Sequence, residues 1–147
     1  MPKPFSLKTV LDLSHARLDD AARQLGRLMA NERASSDTLA LLIRYRDDYL
    51  ARFLEIARDG ISPDRMRNYQ AFVGRLDDAI AQQRTTLNDS QQRTASGQKA
   101  WVTHRNRARA LDTLSQRHLA HERRQEEQRE QKRSDENAMN LYRANRE

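Results

Sequence analysis

The side chains with the strongest potential for chemistry are histidines and carboxylates in the second half of the chain. His118, His121 and Glu122 stand at i, i+3 and i+4, which on a helix brings three possible metal ligands to one face. The 147-residue chain has no cysteine, so a disulfide, a thiolate nucleophile and a cysteine-ligated zinc are excluded. The segment around these histidines is highly charged. We therefore interpret them as a solvated surface and expect no metal ion and no cofactor.

Catalytic arrangements are not recognisable in the sequence either. It contains neither a glycine-rich phosphate loop nor a serine, histidine and carboxylate combination. His15 and His104 fall at nearly facing positions in the helix pairing described below. We interpret each as a surface residue or as part of the seam, the line of contact between the two helices, and not as a catalytic group. We expect a non-enzymatic protein whose function lies in its surfaces.

One short segment ends one helical pattern and begins another. Gly60 can adopt the left-handed conformation that terminates a helix, Ser62 can cap the next helix, and Pro63 fits the first helical position. With Ile61 between them, these residues form the predicted hairpin turn. The chain is expected to reverse direction here.

Both flanking arms repeat apolar residues with a seven-residue period, which is typical of a coiled coil. The first frame runs through Leu7, Leu11, Ser14, Leu18, Ala21, Leu25, Leu28, Glu32, Ser35, Leu39, Leu42, Arg46, Tyr49, Phe53 and Ile56. The second runs through Met66, Tyr69, Val73, Leu76, Ile80, Gln83, Leu87, Ser90, Thr94, Gly97, Trp101, His104, Ala108 and Leu111. Folding the arms at the turn makes Phe53 meet Tyr69 and Leu42 meet Ile80.

The predicted fold class is all-α, a long antiparallel two-helix coiled coil or helical hairpin. Only 37% of the residues are hydrophobic and 33% are charged, which suits a two-helix seam better than a globular core. We assign one domain, 1–147, with a first arm at about 5–58, a turn at 59–62 and a paired second arm at about 63–118. Residues 119–147 form an unpaired polar tail that should be frayed or partly disordered.

An apolar stripe near the turn is the clearest candidate interaction surface. On the first arm it follows i, i+3 and i+7, and on the second arm i, i+4 and i+7. Its members are Leu42, Tyr45, Tyr49, Phe72, Leu76 and Ala79. Either a wide seam buries all six residues, or the stripe is exposed and binds a partner.

The net charge of +6 raises a second possibility, a coiled coil that binds nucleic acid through a basic surface. The residues that would form this surface are Lys99, Arg105, Arg107 and Arg109. A third possibility is a purely structural coiled coil or homo-oligomer, specified by polar seam positions. Those positions are Glu32, Ser35, Ser90 and Thr94.

Several short motifs resemble the FliJ family of flagellar type III export proteins over essentially the whole chain. In the first arm they are Asp19-Asp20-Ala21-Ala22-Arg23 and Leu25-Gly26. Around the turn they are Gly60-Ile61, Arg65, Asn68-Tyr69-Gln70 and Phe72.

The resemblance implies a hairpin similar to the central stalk of F-type ATPases. The implied partners are the hexameric export ATPase, bound by the end of the hairpin that carries the free helix ends, and the cytoplasmic domain of the membrane export gate, bound by the apolar stripe. It also implies escort of export chaperones. No apolar run in the sequence approaches the length of a membrane span, so we expect a cytoplasmic protein. The resemblance implies a location at the cytoplasmic face of the membrane, at the flagellar base.

Overall fold

The computed structural model describes the backbone of residues 4–146 and the side chains of residues 7–146, so both extreme ends of the predicted domain 1–147 lie outside it. It contains two helices, α1 (Pro4–Arg58) and α2 (Pro63–Arg146). The predicted all-α fold class is confirmed. Both helices pass without interruption through their Ser-, Thr- and Asn-rich middle stretches.

The turn between the helices has the geometry that its residues favour. Gly60 has a φ of 95°, and its amide donates a hydrogen bond of 3.2 Å to the carbonyl of Ala57, which closes the end of α1. The Ser62 hydroxyl accepts a hydrogen bond of 3.3 Å from the amide of Arg65 and so caps α2. Pro63 then occupies the first helical position, where a missing amide hydrogen has no consequence.

By their internal packing the residues form two units, and the first comprises residues 19–102, including the turn. Here the helices pair in an antiparallel hairpin with the predicted register. The rings of Phe53 and Tyr69 lie 5.0 Å apart between centroids. Further from the turn, the Thr94 hydroxyl donates to the Leu28 carbonyl at 3.3 Å, and the Gln83 amide donates to the Ser35 carbonyl at 3.1 Å.

The heptad frames predicted from the sequence coincide with the buried side of each helix. Every position of both frames is buried or half-buried, and most residues between these positions are exposed. Ile80 is the most buried apolar residue of this unit, with 2% of its surface exposed. The seven-residue spacing therefore identified the seam correctly on both helices.

The second unit comprises residues 1–18 and 103–147. The first turns of α1 pack here on α2. The most buried residues of this contact are Ala108 and Ser14, whose surfaces are 2% and 5% exposed. Half-buried residues continue along α2 as far as Glu122. The packed part of α2 thus reaches one helical turn beyond His118.

From position 123 to 146 every residue is exposed, yet α2 continues to Arg146. The structure therefore differs from the frayed tail that was predicted. Arg, Lys, Glu and Gln are good helix formers, and no Gly or Pro follows Gly97. The tail also extends a helix that is already packed, so it does not bear the cost of nucleation. Neither helix, as far as it is described, has a stretch both long and apolar enough to cross a membrane.

Candidate partner-binding site

Near the turn, four aromatic rings pack in a row across the two helices. The centroid of Tyr69 lies 5.0 Å from that of Phe53 and 5.1 Å from that of Tyr49, and the Tyr49 centroid lies 4.4 Å from that of Phe72. The rings are tilted by 46° to 49°, within the range of favourable aromatic pairs. This row holds Tyr49 in the seam and fixes Phe72 at the edge of the seam.

A groove of about 390 Å³ lies beside this row of rings. Its lining residues are Tyr45, Asp48, Tyr49, Arg52, Phe72 and Leu76, and we call it the aromatic groove. Tyr45 is 55% exposed and Phe72 is 39% exposed, although both are large and largely apolar. Exposed aromatic side chains gathered at one place are typical of protein interaction sites.

The six residues of the predicted stripe divide into two groups. Tyr45 and Phe72 are exposed, and the other four are half-buried, so the seam does not bury the whole stripe. The aromatic groove brings together Tyr45 and Phe72 with two of the half-buried residues, Tyr49 and Leu76. The remaining two, Leu42 and Ala79, are half-buried and do not line the groove.

Two charged residues of the aromatic groove, Asp48 and Arg52, were missed by the sequence analysis. Together with Tyr45 and Tyr49 they follow i, i+3, i+4 and i+7 on one helix face, so the signal was present but was read for apolar residues alone. Neither charge forms an ion pair with any residue that the structure describes. The groove therefore offers one free carboxylate and one free guanidinium beside its rings.

The predicted basic surface does not gather its residues on one side of α2. Arg107 is two positions from both Arg105 and Arg109, which on a helix corresponds to a rotation of about 200°. Arg105 is also half-buried and has contacts of its own within the protein. Lys99 belongs to the other packing unit. This distribution does not favour a continuous phosphate-binding track.

Two of the histidines pair with carboxylates. His15 Nε2 lies 3.0 Å from Asp112 Oδ1, about two helical turns along α2 from the expected neighbour His104. His118 Nε2 lies 3.2 Å from Glu122 Oε1 on the same helix. Within the described part of the chain, no group of three His, Asp or Glu side chains is arranged to hold a metal ion.

Exposed apolar side chains also occur in the unit that contains the free helix ends. Val10, Leu13 and Leu114 are each about half exposed, at 48%, 49% and 52%. Near the end of the tail, Met139, Leu141 and Tyr142 have 60% to 66% of their surface exposed. Arg146 lies over the ring of Tyr142, with its guanidinium carbon 5.4 Å from the centroid. The tail thus presents apolar groups beyond a long polar segment.

Comparison with known proteins gives consistent matches along the chain. A family model described as "Flagellar FliJ protein" matches residues 2–147. The chain is 33% identical over 136 residues to the flagellar FliJ protein of Salmonella typhi, which covers 92% of each chain. It is 32% identical over 117 residues to the flagellar FliJ protein of Escherichia coli K12, which covers 80% of each chain.

Proposed function

The chain belongs to the flagellar FliJ family and is a component of flagellar protein export, and on this premise we propose that it links the hexameric export ATPase to the membrane export gate. In this proposal the protein performs no chemistry of its own. It binds the ATPase at one site and the cytoplasmic domain of the gate at another. It works at the cytoplasmic face of the membrane, held there by these partners, and also escorts export chaperones.

The observation that carries the proposal is the exposure of Tyr45 and Phe72 at the aromatic groove. A two-helix seam gains free energy when such rings are buried, at about 25 cal/mol for each Å² of apolar surface. Tyr45 nevertheless remains 55% exposed next to the row of packed rings. A partner that covers these rings would recover this free energy, and we assign the aromatic groove to the export gate.

The ATPase is assigned to the opposite terminus of the helices. The exposed residues Val10, Leu13 and Leu114 and the bare helix at 123–146 provide the contact surface. The segment would enter the central hole of the hexameric ring, in the manner of the central stalk of F-type ATPases. A helix without packing partners is suited to this role because the ring itself can surround it.

Coupling between the two partners follows from differential affinity. The protein can bias a partner between two states only if it binds one state more tightly than the other. If binding at the aromatic groove alters affinity for the ring, then binding of the ring must alter affinity for the gate by the same factor. Phe72 and the tail lie on the same helix, α2, which provides a covalent connection between the two assigned sites.

The test uses separate binding measurements with the purified export ATPase and with the purified cytoplasmic domain of the gate. The double variant Tyr45→Ala with Phe72→Ala should lose gate binding and keep ATPase binding. A chain that ends at residue 122 should show the reverse behaviour. Leu54→Ala is the matched control, since Leu54 is 61% exposed near the same turn but does not line the aromatic groove. Loss of ATPase binding in the aromatic double variant would refute the assignment.

A further inference from the structure

The middle of the seam is polar on both helices. On α2, four of the five consecutive seam positions at this level are polar residues or glycine: Gln83, Ser90, Thr94 and Gly97. On α1, two of the four seam positions at this level are polar, Glu32 and Ser35. We call residues 28–39 of α1 and 83–97 of α2 the polar segment.

Burial of apolar surface stabilises the seam less in the polar segment than nearer the turn. From Tyr69 to Ile80 every seam position of α2 is apolar, and Ile80 is only 2% exposed. The free energy gained by packing two seam residues scales with the apolar area that is removed from water. Polar side chains and glycine contribute little such area, so the polar segment holds the two helices together more weakly.

The hydrogen bonds that cross the polar segment can be lost without leaving a buried group unsatisfied. The Thr94 hydroxyl lies 3.3 Å from the Leu28 carbonyl, but it also lies 3.0 Å from the Ser90 carbonyl of its own helix. It therefore keeps a partner when the helices separate. The carbonyls of Leu28 and Ser35 keep the amide donors of α1. The Gln83 side chain, which donates to Ser35, can bond to water instead.

Both helices are also weaker by themselves in this segment. Four threonine hydroxyls donate to the carbonyl four residues earlier, at 3.0 to 3.3 Å: those of Thr38, Thr85, Thr86 and Thr94. Such bonds slightly destabilise a helix and often bend it. Serine, asparagine and glycine, which are frequent here, are poorer helix formers than alanine. The polar segment thus combines a weak seam with weak helices.

Two grooves, of about 440 and 690 Å³, give solvent access to the polar segment. Ser35 and Ser90 contribute to the lining of the first groove, and Leu28 and Gly97 contribute to that of the second. All four are seam residues. Solvent therefore needs to cross no apolar layer to reach the hydrogen bonds between the helices.

We infer that the polar segment is a joint of the hairpin, at which α1 and α2 separate locally while the seam on either side stays packed. The packed parts are the row of aromatic rings near the turn and the seam around Trp101. Local opening is a property of the chain alone. Its role rests on the proposed function: a link with such a joint can bend in the middle while its contacts with both partners are kept.

Native-state hydrogen exchange of the full chain, read residue by residue by NMR in low urea, tests the joint without any partner. Separated helices are only marginally stable, so their amides exchange whenever the joint opens. The amides of Glu32 and Ser90 should exchange about tenfold or more faster than those of Ile80 and Trp101. Equal rates at the four amides would overturn the inference. So would rates that rise steadily from Ile80 through Ser90 to Trp101, because they indicate fraying from the helix ends.

A double variant tests whether the polar seam causes the opening. Glu32→Leu with Gln83→Leu replaces two polar seam residues by apolar ones and should slow exchange at Ser90 about tenfold or more. The matched control is Glu55→Leu with Gln82→Leu, the same two changes at exposed positions outside the seam. It should leave exchange at Ser90 unchanged. A Ser90 amide that exchanges equally fast in both double variants would refute the polar seam as the cause.

The same two double variants separate the role of the joint from the proposed function. Both should bind the purified export ATPase and the cytoplasmic domain of the gate as the parent chain does. Only the seam variant should reduce motility in cells that lack the parent protein. Unchanged motility would refute the role and leave the joint itself in place. If instead the parent chain binds neither partner, the proposed function fails, and the exchange measurements alone decide on the joint.

Discussion

The Cδ1 atom of Leu28 occupies the space in which a Cβ on Gly97 would stand, at 2.6 Å from that position. A larger residue at 97 therefore requires Leu28 to change rotamer or the two helices to move apart. Gly97 leaves this space to Leu28, although glycine in the middle of a helix normally costs about 0.5 to 1 kcal/mol relative to alanine.

Gly97→Ala should for this reason gain less stability than the better helix propensity of alanine would supply. The displacement of Leu28 Cδ1 offsets the gain of up to about 1 kcal/mol from propensity. Urea unfolding followed by circular dichroism measures the difference. Gly26→Ala and Gly74→Ala are the controls, because nothing lies within 4 Å of a Cβ at either position, and both should stabilise. A Gly97→Ala variant stabilised as much as the two controls would contradict the packing described here.

Tyr49→Ala and Tyr45→Ala should separate stability from binding. Tyr49 contacts two rings in the seam, and its truncation should cost about 3 kcal/mol of unfolding free energy. Tyr45 is 55% exposed, so its truncation should change the unfolding free energy by no more than about 0.5 kcal/mol. Gate binding should nevertheless fall in Tyr45→Ala. Equal losses of stability in the two variants would show that Tyr45 is a seam residue and not a free ring of the aromatic groove.

Removal of the Ser62 hydroxyl should destabilise the hairpin by about 1 kcal/mol, because the amide of Arg65 loses its capping acceptor. The measurement is the unfolding free energy of Ser62→Ala. Ser36→Ala serves as the control at an exposed position inside α1. Alanine is the better helix former there, so that variant should be unchanged or slightly more stable. Identical behaviour of the two variants would mean that the cap does not contribute.

Truncation after residue 122 should leave the midpoint of thermal unfolding unchanged, because no residue from 123 to 146 is buried. The helical signal should fall in proportion to the number of residues removed. In the full chain, amides of this segment should exchange much faster than those around Ile80, since an unpacked helix is only marginally stable. Slow exchange throughout the tail would indicate that it packs on something, for instance on another copy of the chain.

The sequence by itself determined the helices, the turn and the seam. Within the described residues 4–146, Gly60, Ser62 and Pro63 mark the only place where a helix ends and another begins, and each acts through local backbone chemistry that needs no tertiary contact. The seven-residue spacing identified the buried residues because helix geometry fixes which positions share a side, whatever the partner helix is. The same rule, once applied to charged residues, would have found Asp48 and Arg52.

Only the tertiary structure decided which groups meet across the helices. His15 contacts Asp112, a pair that the seven-residue spacing does not predict, because the axial offset of two helices depends on their joint packing and on neither sequence alone. Joint packing of the helices also determines that the Leu28 side chain occupies the space beside Gly97. The exposure of the rings at the edge of the seam was likewise not predictable, because it depends on how deeply Tyr49 and Phe72 bury one another. The spacing of residues along a helix defines its faces. The depth to which each side chain is buried and the register between the helices arise only when two faces pack together.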